Sequence, residues 1–205
     1  RRQMPHKIYY FDLYGRAEAA RMMYSHAKVE FEDIRLTKEQ FAEMKEAGKF
    51  EFGQLPLLET DDGKSLSQSV AINRYVARTN GYYPEDPVEQ WANDSAVDAL
   101  GDLAMNAMKI HFAPNEEAKT AAIENYMGKA MPAFLEKFDK RAEGKKFMGG
   151  DKMMFADFCT AAFFCSPGMA QAADLIAKYP AFAAMVEAYK AELADYLANR
   201  PKCAF

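Results

Sequence analysis

Apolar and polar positions follow two different periods along this chain. Up to about Thr79, short apolar runs of strand length are mixed with helical repeats. Lys7-Ile8-Tyr9-Tyr10-Phe11 is rich in aromatic and β-branched residues and predicts a strand. Gly15 breaks that run, and Ala17, Ala20, Met23 and Ala27 then recur at helical spacing over 16–27. Residues 29–36 predict a second strand. A strand, a helix and a strand within about thirty residues form a βαβ unit, whose strands run parallel. Leu57-Leu58-Glu59-Thr60 and Lys64-Ser65-Leu66 flank Asp61-Asp62-Gly63, a strong hairpin signal. Ser67 or Ser69 then opens a helix through Ile72, Tyr75 and Val76. The order β-α-β, a helical connector, then β-β-α is that of a thioredoxin-like half.

Asn80-Gly81-Tyr82-Tyr83-Pro84-Glu85-Asp86-Pro87 carries glycine and two prolines and predicts a linker. Everything after it has helical period. Val88, Trp91, Ser95, Ala99, Leu103 and Ala107 trace one expected core face. Ile123, Tyr126, Met127, Ala130, Met131, Phe134 and Phe138 trace another, and a late helix is expected to start near Pro180. The predicted fold class is α/β plus all-α. An N-terminal thioredoxin-like domain (1–79) and a linker (80–87) precede a C-terminal helical bundle domain (88–205).

Composition narrows the function more than the fold. Half of the residues are hydrophobic and 27% are charged, as in a globular protein. The net charge of -4 does not attract polyanions, so no nucleic acid partner is expected. No apolar run reaches 18 residues, so no membrane span is expected. Cys159, Cys165 and Cys203 are odd in number and confined to the last quarter, which suits free thiols in a reducing compartment. The opening Arg1-Arg2-Gln3-Met4 lacks a signal peptide's apolar segment, so a cytoplasmic location is expected. His6, His26 and His111 have no cysteine at ligand spacing, and no metal is expected. The Asn93-Asp94-Ser95 glycosylation triplet falls inside a predicted helix and is read as fortuitous. The thirteen methionines read mainly as core filler.

Three segments carry the candidate chemistry. They are Tyr9-Tyr10-Phe11-Asp12-Leu13-Tyr14-Gly15-Arg16-Ala17-Glu18, Phe52-Gly53-Gln54-Leu55-Pro56-Leu57-Leu58-Glu59, and Ser65-Leu66-Ser67-Gln68-Ser69-Val70-Ala71-Ile72-Asn73-Arg74-Tyr75. In this order they resemble the cytosolic glutathione transferases, most closely the sigma class. That class includes haematopoietic prostaglandin D synthases and the S-crystallins of cephalopod lenses. The likeness is weaker in the helical part. There it rests on Val97-Asp98-Ala99-Leu100 and on Phe147-Met148-Gly149-Gly150-Asp151 with Phe155-Ala156-Asp157-Phe158.

The resemblance implies glutathione as co-substrate and gives Tyr10 the catalytic role. A tyrosine at the end of a first strand lies at the carboxyl edge of the sheet, which ligands favour. A thiol with pKa near ~8.5 is mostly protonated at pH ~7, and lowering that value by two units takes about 2.7 kcal/mol. One charge-assisted hydrogen bond and a nearby cation can supply it, and Arg16 is the expected cation. Leu55-Pro56 resembles a cis-proline turn that exposes the Leu55 backbone to the cysteinyl part of glutathione. Gln68 and Ser69 are placed at a helix start suited to the γ-glutamyl carboxylate. Phe41 and Lys45 align with a Trp and a Lys that grip the glycine end, and Gln54 stands where many relatives have Lys. Asp98 resembles an acid that reaches the γ-glutamyl ammonium of a neighbouring subunit, which implies a homodimer; Asp102 is a second candidate. Gly101 interrupts an acidic pair that holds magnesium in some relatives. Leu13, Tyr14, Met105, Met108 and Phe205 are the expected wall for a hydrophobic electrophile. Met154 stands where relatives carry a capping Ser or Thr, so a half-made capping box at Asp157 is expected. The leading reading is a detoxifying glutathione S-transferase. The alternatives are an inactive crystallin-like structural or carrier protein, and a glutathione-dependent prostaglandin D isomerase.

Overall fold

A computed structural model describes residues 5–203. Strand β1 (His6–Phe11) pairs in parallel with β2 (Phe31–Leu36). Strand β3 (Leu57–Glu59) runs antiparallel to β1 and to β4 (Ser65–Ser67). The sheet order β2-β1-β3-β4 is the thioredoxin-like arrangement that the sequence predicts. Helix α1 (Glu18–His26) makes the crossover after a short 3-10 turn at Gly15–Ala17. The connector is α2 (Lys38–Glu46), closed by a reciprocal cap in which Thr37 and Gln40 each accept the other's backbone N–H. Helix α3 (Ser69–Thr79) follows the hairpin.

The helical part begins with the long α4 (Pro87–His111), whose first N–H groups are taken by Asp86. It continues with α5 (Glu116–Asn125), α6 (Met131–Ala142), α7 (Phe155–Phe164), α8 (Ala173–Ile176), α9 (Pro180–Glu192) and α10 (Ala194–Asn199). Helix α9 starts where Pro180 predicts it. Among the described residues no helix is long and apolar enough to cross a membrane. Helix α1 is the pivot. Every residue from Glu18 to Tyr24 is buried, because α1 packs on α3 and on α7. One core therefore runs from Ile8 and Leu58 through Met22 and Met23 to Phe158 and Phe182. A smaller cluster of Leu36, Phe50 and Leu57 lies under Phe41.

Two helical faces differ from the sequence expectation. On α4 the buried residues are Ala96, Val97, Leu100 and Leu103, whereas Val88 and Trp91 are 69% and 64% exposed. The expected stripe was built mainly from i+4 steps. Each such step turns about 40° past a full revolution, so the series spirals from the outer to the inner face. The second difference is a π-helical turn, Tyr126–Ala130, between α5 and α6. Pro132, near the start of α6, has no N–H to continue an α-ladder, and the wider turn lies just before it. The change of phase leaves Ile123 exposed while Tyr126, Met131, Phe134 and Phe138 are buried.

The cap of α7 is completed from elsewhere. Met154 offers only a thioether, but the Asn93 side chain accepts the Ala156 N–H at 3.0 Å. Asn93 also donates to the Glu89 carbonyl, so its amide is engaged on both sides. The fully buried Asp157 carboxylate accepts from Met148 N (2.7 Å), Gly149 N (3.2 Å), Met154 N (2.9 Å) and the Tyr189 hydroxyl (2.7 Å). Burial pushes this carboxyl up, and the donors oppose that shift. Asp157→Asn would aim an amide donor at these donors. It is expected to cost about 2–3 kcal/mol in urea unfolding, and an unchanged midpoint would contradict this account of the α7 start.

Candidate functional site

Strand register assembles one end of the sheet. Phe11 pairs with Leu36, so the start of α2 lies beside the end of β1. Tyr9 pairs with Leu57 and Leu57 with Ser67, which brings Leu55-Pro56 and Gln68-Ser69 to the same end. The Leu55-Pro56 bond is cis, and Leu55 is half-buried. Gln68 is the N-cap of α3 with φ +71° and makes no side-chain cap, while Ser69 is the first helical residue. The expected helix start is thus in place, but its first N–H groups are left without a capping side chain. A non-glycine residue held at positive φ is uncommon and marks a constrained turn.

Tyr10 is buried at the end of β1, and its hydroxyl accepts the Arg16 backbone N–H at 3.2 Å. The phenol proton therefore remains available to donate to a third atom. Gly15 makes this contact possible. It has φ +46°, and a Cβ there would lie 2.7 Å from the Tyr10 hydroxyl oxygen. Arg16 is exposed and meets Tyr10 through its backbone. The cation nearest the Tyr10 ring is instead Arg21, whose guanidinium carbon lies 5.8 Å from the ring centroid. Arg21 is 1% exposed, donates to the Leu13 and Tyr14 carbonyls at 2.8 and 3.2 Å, and pairs with Asp33 at 2.9 Å. Sequence reasoning missed Arg21; its spacing of three from Glu18 was the available signal.

The other expected site residues divide into two groups. Phe41 meets Phe11 at a ring separation of 5.3 Å, and the Lys45 ammonium lies 5.8 Å from the Phe41 ring centroid. The Lys45 side chain also crosses Gly53, where a Cβ would approach it to 2.9 Å. Gln54 is exposed beside Leu55. These residues share the sheet end with Tyr10. Asp98 and Asp102 lie apart from them, exposed one turn apart on α4. Met105 is exposed and Met108 half-buried on the same helix. Leu13 is half-buried, and Tyr14 is covered by the chain end. Arg200 stacks 4.0 Å from the Tyr14 ring centroid, and the Cys203 N–H donates to the Tyr14 hydroxyl at 3.2 Å. Phe205 lies outside the described residues.

The thiols do not compete for the chemistry. Burial pushes Cys159 up to about 12 and Cys165 up to about 11. Burial also raises Cys203, with Arg35 opposing it. Two histidines are packed against phenols: His6 meets the Tyr24 hydroxyl at 2.6 Å and His26 meets that of Tyr82 at 2.7 Å.

Comparison with known proteins adds the family. The model for the glutathione S-transferase N-terminal domain matches residues 6–78, and that for the C-terminal domain matches 101–200. The chain is 34% identical to haematopoietic prostaglandin D synthase of Gallus gallus over 97% of its length and 98% of the relative's. It is 28% identical to S-crystallin SL11 of Nototodarus sloanii, with 97% and 98% covered. Among solved structures it is similar to monomeric Na-GST-3, a glutathione S-transferase of Necator americanus. That match has a TM-score of 0.85 and 29% identity, covering 98% of this chain and 100% of the other.

Gly15→Ala tests the contact on which the site depends. A Cβ at this positive φ meets the Tyr10 hydroxyl, so a loss of about 1–3 kcal/mol is expected in thermal or urea unfolding. A variant as stable as the parent would show that the tyrosine loop is looser than its geometry implies.

Proposed function

The chain belongs to the glutathione S-transferase family, and we propose that it binds glutathione at the sheet end around Tyr10 and activates its thiol for attack on an apolar electrophile. The observation that carries this reading is the bonding of Tyr10. Its oxygen is engaged by Arg16 N–H, so its proton points its remaining capacity at an incoming sulfur. On binding, the thiol proton passes to solvent, and in the resting complex the phenol donates to the thiolate. As the sulfur bonds to the electrophile, its negative charge passes to the leaving group or to the electrophile's acceptor atom. The phenol stays protonated throughout.

The same geometry supports the peptide grip. The uncapped start of α3 at Gln68 and Ser69 suits the γ-glutamyl carboxylate, through free N–H groups and the helix dipole. The Leu55 backbone beside cis-Pro56 suits the cysteinyl peptide group. Lys45, held over Phe41, suits the glycyl carboxylate, with Gln54 nearby. In this reading residues 1–79 bind glutathione, 80–87 link, and 88–205 face the electrophile. The protein acts in the cytoplasm, in detoxification, without a metal.

Dimerisation belongs to the same proposal. Val88, Trp91, Asp98, Asp102 and Met105 share the outer face of α4, opposite its buried residues. Such a mixed apolar and acidic stripe suits a second copy, with Asp98 reaching its partner's γ-glutamyl ammonium. The Necator americanus relative is named as monomeric, and sedimentation decides whether this chain pairs.

Two experiments decide between the readings. Tyr10→Phe is expected to lower kcat with an aryl halide about 10²-fold or more while KM for glutathione changes little, because the hydroxyl acts on the sulfur. Equal rates in both proteins would refute the role of Tyr10. A wild type that neither turns over an electrophile panel nor binds immobilised glutathione would favour a structural role, as the name of the S-crystallin relative suggests. Separately, sedimentation is expected to show a dimer that Trp91→Glu disrupts, and Asp98→Asn is expected to raise KM for glutathione several-fold. A monomeric wild type would remove Asp98 from the site.

A further inference from the structure

The tyrosine loop is tied to the far end of the chain by a line of alternating charges. Arg200 donates to Glu18 at 2.6 Å, and the other Glu18 oxygen faces Arg21 at 3.4 Å. Arg21 bonds Asp33 at 2.9 Å, and Asp33 bonds Arg35 at 2.9 Å. Arg35 closes the line on Asp12 at 2.8 Å. Three cations and three carboxylates from α1, β2, the loop after β1 and the chain end therefore face one another. Glu18 is 0% exposed and Arg21 is 1% exposed. A carboxylate buried so fully is stable only while its cations stay in place.

The line also holds the backbone on both sides of the Tyr10 contact. Arg21 takes the Leu13 and Tyr14 carbonyls, just before Gly15 and Arg16. From outside, Arg200 covers the Tyr14 ring, and the Cys203 N–H bonds the Tyr14 hydroxyl. A second Arg200 bond, to the Cys165 carbonyl at 3.0 Å, anchors it to the end of α7. Arg21 still has one buried guanidinium nitrogen without a hydrogen-bond partner, so its position depends on the charges around it.

We propose that Arg200 is a positioning residue for Tyr10. Through Glu18 and Arg21 it holds the 12–16 loop so that Arg16 N–H stays on the phenol oxygen. Without Arg200, the one cation left to Glu18 is the more distant Arg21, beside the neutral Tyr196 hydroxyl; Arg21 is then drawn from the Leu13 and Tyr14 carbonyls, and the loop loosens. This rests on the glutathione reading above.

The test measures thiolate formation in the enzyme–glutathione complex by ultraviolet absorbance against pH, with no electrophile present, alongside kcat and KM. Arg200→Gln is expected to raise the pH midpoint by about one unit and lower kcat about threefold at pH ~7, rising to about tenfold well below the midpoint, where each unit is a tenfold change in thiolate. KM for glutathione is expected to stay within about twofold, because the peptide grip is elsewhere. Arg200→Lys, which keeps the charge, is expected to recover most of the shift. Asp157→Asn lowers stability away from the loop and is expected to leave the midpoint unchanged. If Arg200→Gln does not fold, Tyr14→Phe deletes the hydroxyl that holds Cys203 N–H and is expected to shift the midpoint about half as far. An unchanged midpoint in the folded variant, or an equal shift in Asp157→Asn, overturns the role of Arg200 and leaves Tyr10 standing. A wild-type midpoint no lower than that of Tyr10→Phe overturns the Tyr10 reading itself, and this inference with it.

Discussion

Glu18 sits fully buried at the start of α1, and a carboxylate in that position has to be met by cations. Its desolvation amounts to several kcal/mol, which only well-placed partners offset. Two arginines meet it, one from its own helix and one from the chain end. That requirement shapes much of the molecule. It brings the residues after α10 back across the body onto the first crossover helix. It sets Arg21 where it can bond two carbonyls of the loop that follows β1. It also makes α1, buried along most of its length between α3 and α7, the element through which the sheet and the helices share one core.

The sheet end uses a different economy. Short strands of three to six residues place four chain segments side by side. At the start of α3 the constrained Gln68 leaves N–H groups facing outward instead of capping them. Under the proposed function such a site takes a peptide through its main chain, while the Tyr10 hydroxyl addresses the sulfur. The thiolate shift of about two units needs roughly 2.7 kcal/mol, which lies within reach of one charge-assisted donor plus neighbouring positive potential. Arg21, almost wholly buried and near the Tyr10 ring, is paired with Glu18 and Asp33, so it serves the loop through its bonds to the Leu13 and Tyr14 carbonyls.

Local signals made the first half of the fold legible. The aromatic run at 7–11 and the Asp-Gly hairpin act within a few residues, and each forms where the sequence suggests. The helical half was harder because its helices are apolar on more than one side. Val88 and Trp91 have core-like side chains, yet only the partners of Ala96, Val97, Leu100 and Leu103 decide which face turns inward. The π turn before Pro132 broke a repeat that continued smoothly on paper. In the site, the three motif segments came together as expected. The reason they hold was not readable, since Arg200 and Glu18 are 182 positions apart and share no pattern. Arg16 is the cation inside the tyrosine motif, whereas helical geometry turns Arg21 inward.

The same scaffold serves relatives named as a prostaglandin D synthase, an S-crystallin and glutathione S-transferases. A shared fold therefore does not select the electrophile. In this chain the outer side of the tyrosine loop is closed. Tyr14 is covered by Arg200 and the chain end, and Asp12 is bridged to Arg35 beside Cys203, so that side of the sheet end is walled by polar groups. The Phe41 ring carries no hydrogen-bond donor, and the Lys45 ammonium lies near it on the α2 side. Under the proposed function this leaves the Leu13 side, toward the helices, for an electrophile, next to the chain-end packing on the loop that the buried Glu18 holds.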